Sequence, residues 1–120
     1  MNAQFKKGVL ELIVLESVRK RDMYGYELVA EVSKVVDVNE GTIYPLLLRL
    51  EKGGLISATY KASELGPKRK YYVLTEKGGL ALEEFIASYA ELASAVEHLL
   101  RAVKGGESDE QESETAAAGE

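Results

Sequence analysis

Two adjacent glycines, Gly53 and Gly54, separate two kinds of residue periodicity, and that break constrains the fold more than any other feature. Before them, Ile43, Leu46, Leu47 and Leu50 recur at the three- and four-residue spacing of a helix with one buried face. After them, Leu55 to Tyr60 and Arg69 to Leu74 are rich in β-branched and aromatic residues and read as strands. The turn-forming segment Ser63-Glu64-Leu65-Gly66-Pro67 joins the two strands into a hairpin, which is marginal alone in water and must lean on helices. Asn39 is a suitable N-cap for the helix, and the glycine pair supplies its left-handed stop. Pro45 donates no backbone hydrogen bond, so it belongs within or just after the first turn, with the helix starting nearer Gly41 or bending at the proline.

The flanks add three more helices. Phe5 to Lys20 form the first, with apolar residues over most of its circumference, which calls for burial on two sides and for a partner chain on one of them. Asp22 is placed to cap a second helix, Met23 to Val36, whose inner face carries Leu28, Val29, Val32 and Val35 or Val36. A tight approach is expected at Gly25 within Tyr24-Gly25-Tyr26. Thr75 caps the fourth helix. There Leu82, Tyr89, Val96 and Val103 recur at sevens, as do Phe85, Leu92 and Leu99, with Ile86, Ala93 and Leu100 beside them. Heptads of this kind mark a helix packed on other helices, and self-association is the economical source of them. A short helix followed by a hairpin, carried among helices, predicts a mostly helical α+β fold: a winged helix-turn-helix over residues 1–74 and a long dimerisation helix over 75–104. Residues 105–120 are expected to be a disordered acidic tail.

Charge placement refines this. The chain of 120 residues has net charge −5, but six acids lie between Gly105 and Glu120, leaving 15 bases against 14 acids elsewhere. Between residues 39 and 77 there are seven bases and four acids, and screening makes this local balance the relevant one. There is no cysteine and one histidine, His98, so thiolate metal sites, disulfides and a paired-histidine zinc site are excluded. No nucleophile–base set or phosphate-binding glycine loop is visible, and neither an enzyme nor a cofactor is expected. The start lacks the apolar core of a signal peptide and no apolar run spans a bilayer, so a cytoplasmic protein without membrane contact is expected.

A winged helix with a basic hairpin reads duplex DNA. Lys68, Arg69 and Lys70 at the hairpin, with Lys6 and Lys7 at the start of the first helix, are the candidate phosphate contacts. Thr42, Tyr44 and Arg49 on the third helix are the candidates for the major groove. The alternative reading has Tyr44 packed partly into the core through its ring and Arg49 paired with a nearby acid such as Glu40 or Glu51. Leu48 shares the outward side and reads nothing there unless it touches a thymine methyl. The rival reading is a winged helix used only for protein contacts.

Five stretches together resemble the PadR family of bacterial transcriptional regulators: Leu10 to Leu15, Tyr24-Gly25-Tyr26-Glu27-Leu28, Gly41-Thr42-Ile43-Tyr44-Pro45, Arg49 to Ile56 and Arg69 to Gly78. The resemblance covers residues 7 to about 80. It implies a homodimeric repressor that binds an inverted-repeat operator and leaves it when a small effector binds. The single long C-terminal helix is similar to that of the short subfamily, and Leu82, Phe85, Tyr89, Leu92, Val96 and Leu99 are the expected dimer interface. Some members sandwich planar ligands between tryptophans of this helix. This chain has none, and Tyr89 stands at the matching position as the expected contact for an aromatic effector.

Overall fold

In a computed structural model, which describes residues 3–107 and the side chains of residues 7–102, seven elements follow one another along the chain. They are α1 (Ala3–Lys20), β1 (Met23–Tyr24), α2 (Gly25–Ser33), α3 (Glu40–Lys52), β2 (Ile56–Ser63), β3 (Gly66–Leu74) and α4 (Glu76–Glu107). One compact unit ends at Phe85, and the rest of α4 belongs to a second.

The core of the first unit draws on every element. Leu10, Val14, Leu15 and Val18 of α1 meet Leu28 and Val32 of α2, and Ile43, Leu46, Leu47 and Leu50 of α3. Met23, Ile56, Tyr72 and Leu82 join them from the strands and α4. The face of α3 set by Ile43 is therefore the buried one, as its spacing predicts. Val9, Leu12 and Ile13 of α1 remain only half-buried within the chain.

Helix boundaries follow from their caps. Asn39 Oδ1 accepts from Thr42 N at 3.2 Å and starts α3 at Glu40. Pro45 is thus its sixth residue, beyond the expected first turn, and it leaves the Gly41 carbonyl without a helical donor. Both residues are exposed, so solvent serves that carbonyl. At the other end, Gly54 N donates to Glu51 O and Leu55 N to Leu50 O, with Gly54 at φ +81°. This pair of bonds is the Schellman arrangement that a glycine permits.

The second helix corrects the expectation. Met23-Tyr24 are a short strand, and α2 begins only at Gly25 and ends at Ser33, short of Val36. The Glu27 carboxylate reaches back to accept from Tyr24 N at 3.2 Å, doing the capping expected of Asp22. Asp22 instead pairs with Lys61 at 3.2 Å.

The antiparallel sheet has the order β1-β3-β2. Its two long strands outrun their expected limits and leave only Glu64 and Leu65 in the turn, with Leu65 98 % exposed. Pro67 fits within β3 because β1 pairs no further than Tyr71, so the strand has a free edge there.

Thr75 caps α4 by accepting from Gly78 N at 2.9 Å. The same hydroxyl donates to Gly54 O at 2.7 Å, and Lys77 Nζ donates to Gly53 O at 2.9 Å. The first turn of α4 is therefore bonded to the turn that ends α3. Helix α4 continues through Gly105, Gly106 and Glu107, residues expected in the tail. The remainder of the expected tail, 108–120, lies outside the described residues.

Candidate nucleic-acid interface

Strand alternation divides the basic hairpin between two faces. Lys70 and the buried Tyr72 share the face of β3 that turns toward the core, where Tyr60 is paired with Lys70 and Ala58 with Tyr72, while Lys68 lies at a register shift between Gly66 and Arg69. Arg69 and Tyr71 occupy the opposite face, with Thr59 and Lys61 across from them. The three adjacent cations expected to act together are thus held in different ways.

Arg69 stacks over the Tyr24 ring at 4.5 Å, and Tyr24 meets Tyr71 edge-on at 5.4 Å between centroids. Lys61 lies 4.6 Å over the Tyr71 ring while paired with Asp22. This row of cation–π contacts stiffens the outer sheet face, at about 0.5–1 kcal/mol for each exposed contact. Lys70 bonds Glu51 of α3 at 3.1 Å, and that hydrogen bond, opposed in part by burial, raises its pKa. The hairpin is thereby tied to α3. Lys68 is exposed and joins no ion pair among the described residues.

Tyr44 sits where α2, α3 and β3 converge. Its ring leans on Gly25 so closely that a methyl group there would lie 2.6 Å from Cε1. The tight approach expected at Gly25 is present, and Tyr44 is the reason for it. Burial raises the Tyr44 phenol above its usual range, followed by the charge of Glu40 and the neighbouring Tyr72 and Tyr26. Around it opens a hollow of about 360 Å³ lined by Tyr24, Gly25, Tyr26, Tyr44, Arg69, Lys70 and Tyr72. Four tyrosines and two cations border this open, mostly apolar concavity, with Arg69 stacked on Tyr24 and Lys70 bonded to Glu51.

Sequence reasoning missed the part Tyr24 and Tyr26 play here, giving them a structural role alone. The signal was present in composition: seven tyrosines against two phenylalanines, in a chain whose aromatic residues cluster beside the third helix and the hairpin.

Of the remaining expected contacts, Thr42 is exposed near the N-terminus of α3, and Lys7 is exposed on α1, while the side chain of Lys6 lies outside those described. Arg49 is committed elsewhere: its Nη2 pairs with Glu11 Oε2 of α1 at 3.2 Å, not with Glu40 or Glu51. Those two acids are close in sequence, whereas Glu11 is brought beneath Arg49 by the packing of α1. Leu48 is 52 % exposed on the outward side of α3.

The heptad positions also divide. Leu82 is 1 % exposed in the core of its own chain, which removes it from the expected dimer interface, and Phe85 is half-buried against that core. Tyr89, Leu92, Val96 and Leu99 are 45–62 % exposed, as are Ile86 at 44 % and Leu100 at 56 %. Among the described residues no helix is long and apolar enough to cross a membrane.

Comparison with known proteins places these features in a family. Residues 14–84 match the model described as the transcriptional regulator PadR-like family. A PadR-like transcriptional regulator from Bacillus cereus is 49 % identical and superposes with a TM-score of 0.75, over 82 % of this chain and 97 % of that one. A PadR family regulator from Eggerthella lenta is 33 % identical, with a TM-score of 0.71 over 81 % of this chain and 86 % of that one. A transcriptional regulator of Mycobacterium tuberculosis is 32 % identical over 106 residues, which span 88 % of this chain and 92 % of that protein.

Proposed function

Since this chain belongs to the PadR-like family of transcriptional regulators, and not to a family of enzymes, we propose that it is a homodimeric repressor of duplex DNA operators. In this reading α3 enters the major groove, and the hairpin and tyrosine-lined hollow hold the phosphates beside it. The observation that carries it is the hollow itself, where Arg69, Lys70 and four phenols flank the exposed face of α3. A backbone phosphate has the charge and acceptors suited to Arg69 and Lys70 at its border, and phosphate contacts fix the register of a helix in the groove. Lys70 keeps donors to spare while bonded to Glu51, because an ammonium carries three. Lys68 is placed to add the long-range attraction.

Dimerisation is supported by the second unit alone. Ile86, Tyr89, Leu92, Val96, Leu99 and Leu100 form a heptad stripe left open to solvent on α4. An apolar stripe of this length is normally covered, and a second copy offers the matching stripe. A two-fold pair of α3 helices calls for an inverted-repeat operator with half-sites about 34–36 Å apart. Tyr89, 56 % exposed within the stripe, is the position suited to contact a planar effector that would release the repressor.

The test is footprinting and titration of the purified protein on DNA upstream of its own gene, at several salt concentrations. A protected inverted repeat, with log affinity falling linearly against log salt, is expected. Absence of salt-sensitive duplex binding would favour the protein-interaction reading.

A further inference from the structure

Along the outward midline of α3, Gly41, Pro45, Leu48 and Lys52 follow one another at spacings of four, three and four. All four are exposed, and Leu48 is 52 % exposed, on the side opposite the buried Ile43 and Leu47. Pro45 has no N–H, Gly41 no side chain, and Leu48 no polar atom, so the centre of this face offers neither donor nor acceptor from a side chain. Of the polar groups beside it, Thr42 is exposed at the start of the helix, whereas the two long side chains at its centre are engaged. Arg49 is paired with Glu11, and the Tyr44 ring is seated against Gly25.

We infer that Leu48, with the Pro45 ring beside it, reads the 5-methyl groups of thymines in each half-site. This rests on the reading of α3 as the helix in the major groove. The thymine methyl is the one apolar group that the base pairs display there, so an apolar knob on the midline gains contact only over A·T or T·A. Over G·C it would cover hydrogen-bonding groups without satisfying them, which costs free energy. Residues three apart on a helix lie about 5–6 Å from one another, a distance spanning one to two base steps. Each half-site should therefore contain one thymine, or two close together, on which binding depends through the methyl alone.

Deoxyuridine tests this, since it keeps every hydrogen-bonding edge of thymine and lacks only the methyl. A duplex selected from a random library by the full-length protein is resynthesised with single thymines replaced by deoxyuridine. Burial of one methyl is worth about a three- to fivefold change in Kd. That loss is expected at one or two positions per half-site and near unity elsewhere. In Leu48→Ala, whose side chain is exposed and whose fold is checked by circular dichroism, the thymine-over-deoxyuridine preference at those positions should vanish while salt dependence persists. Tolerance of deoxyuridine at every position, or a preference that survives Leu48→Ala, would overturn the inference and leave the DNA reading standing. Wild-type affinity of Leu48→Ala for thymine operators would likewise overturn it and point to Leu48 as a protein contact. Failure of the wild type to retain any duplex would overturn the DNA reading and this inference together.

Discussion

Two glycines differ in what surrounds them, and that difference sets their sensitivity. A methyl at Gly78 would lie 1.9 Å from the Leu55 carbonyl oxygen and 2.8 Å from Leu74 Cδ1. Backbone cannot swing aside, so Gly78→Ala should lower unfolding free energy by at least the upper end of the roughly 1–3 kcal/mol typical of overpacking. At Gly25 the obstacle is an aromatic edge on a side chain that can rotate. Gly25→Ala should cost nearer about 1 kcal/mol, displacing Tyr44 and weakening DNA binding more than stability. Urea melts of both variants would separate the two cases. Titration gives a third check. Burial raises Tyr44 above its ordinary 10.0, and the Glu51 hydrogen bond raises Lys70 above its ordinary 10.5. Both hold their protons more tightly folded than unfolded, so the stability they contribute is complete below those ordinary values and is lost as pH rises through the raised ones. The thermal midpoint should fall as pH rises past about 10, where the phenol and then the ammonium lose their protons more readily in the unfolded chain, and Glu51→Gln should shallow that fall by removing the Lys70 part.

At the level of the element, α3 was legible because its pattern is local: four apolar residues at helical spacing, an Asn cap and a glycine stop all lie within one stretch. Strand β1 was not. Met23 and Tyr24 form only two ladder pairs, with Tyr72 and Tyr71, and what makes them a strand is a partner nearly fifty residues on. The helix cap shifted accordingly from Asp22 to Tyr24, because Lys61 of the hairpin engages Asp22. The site was half legible for the same reason. Adjacent bases at Lys68, Arg69 and Lys70 were visible, but the alternation that turns Arg69 onto Tyr24, and the Lys70–Glu51 bond, require the folded sheet. Single alanine variants should resolve the triad. Lys68→Ala should flatten the log–log salt slope by about 0.9, one phosphate contact. Arg69→Ala should lower stability as well as affinity, since it removes the guanidinium from the Tyr24 ring. Equal effects from the two variants would show that the two cations are not held differently.

For the whole molecule, the heptad stripe and the paired charges decide behaviour in solution. Leu92 is 61 % exposed in the middle of the stripe. If a second copy covers it, Leu92→Asp buries an unpaired carboxylate at a cost of several kcal/mol, and the variant should sediment as a monomer with operator affinity lost. A variant that still sediments as a dimer would exclude the stripe as the interface. Because Leu92 is exposed within its own chain, the monomer should keep its helical circular dichroism. Among the described residues, six cations, Arg19, Arg21, Lys34, Arg49, Lys61 and Lys70, already have acidic partners in the same chain. Each such pair cancels much of the field that would pull an arbitrary stretch of genome toward the surface. A regulator built this way is expected to linger only briefly on wrong sequence, because indiscriminate attraction grows with the number of phosphates neutralised. Its search would consist of short visits, and occupancy of the right site would depend on the ratio between correct and incorrect sequence more than on raw tightness.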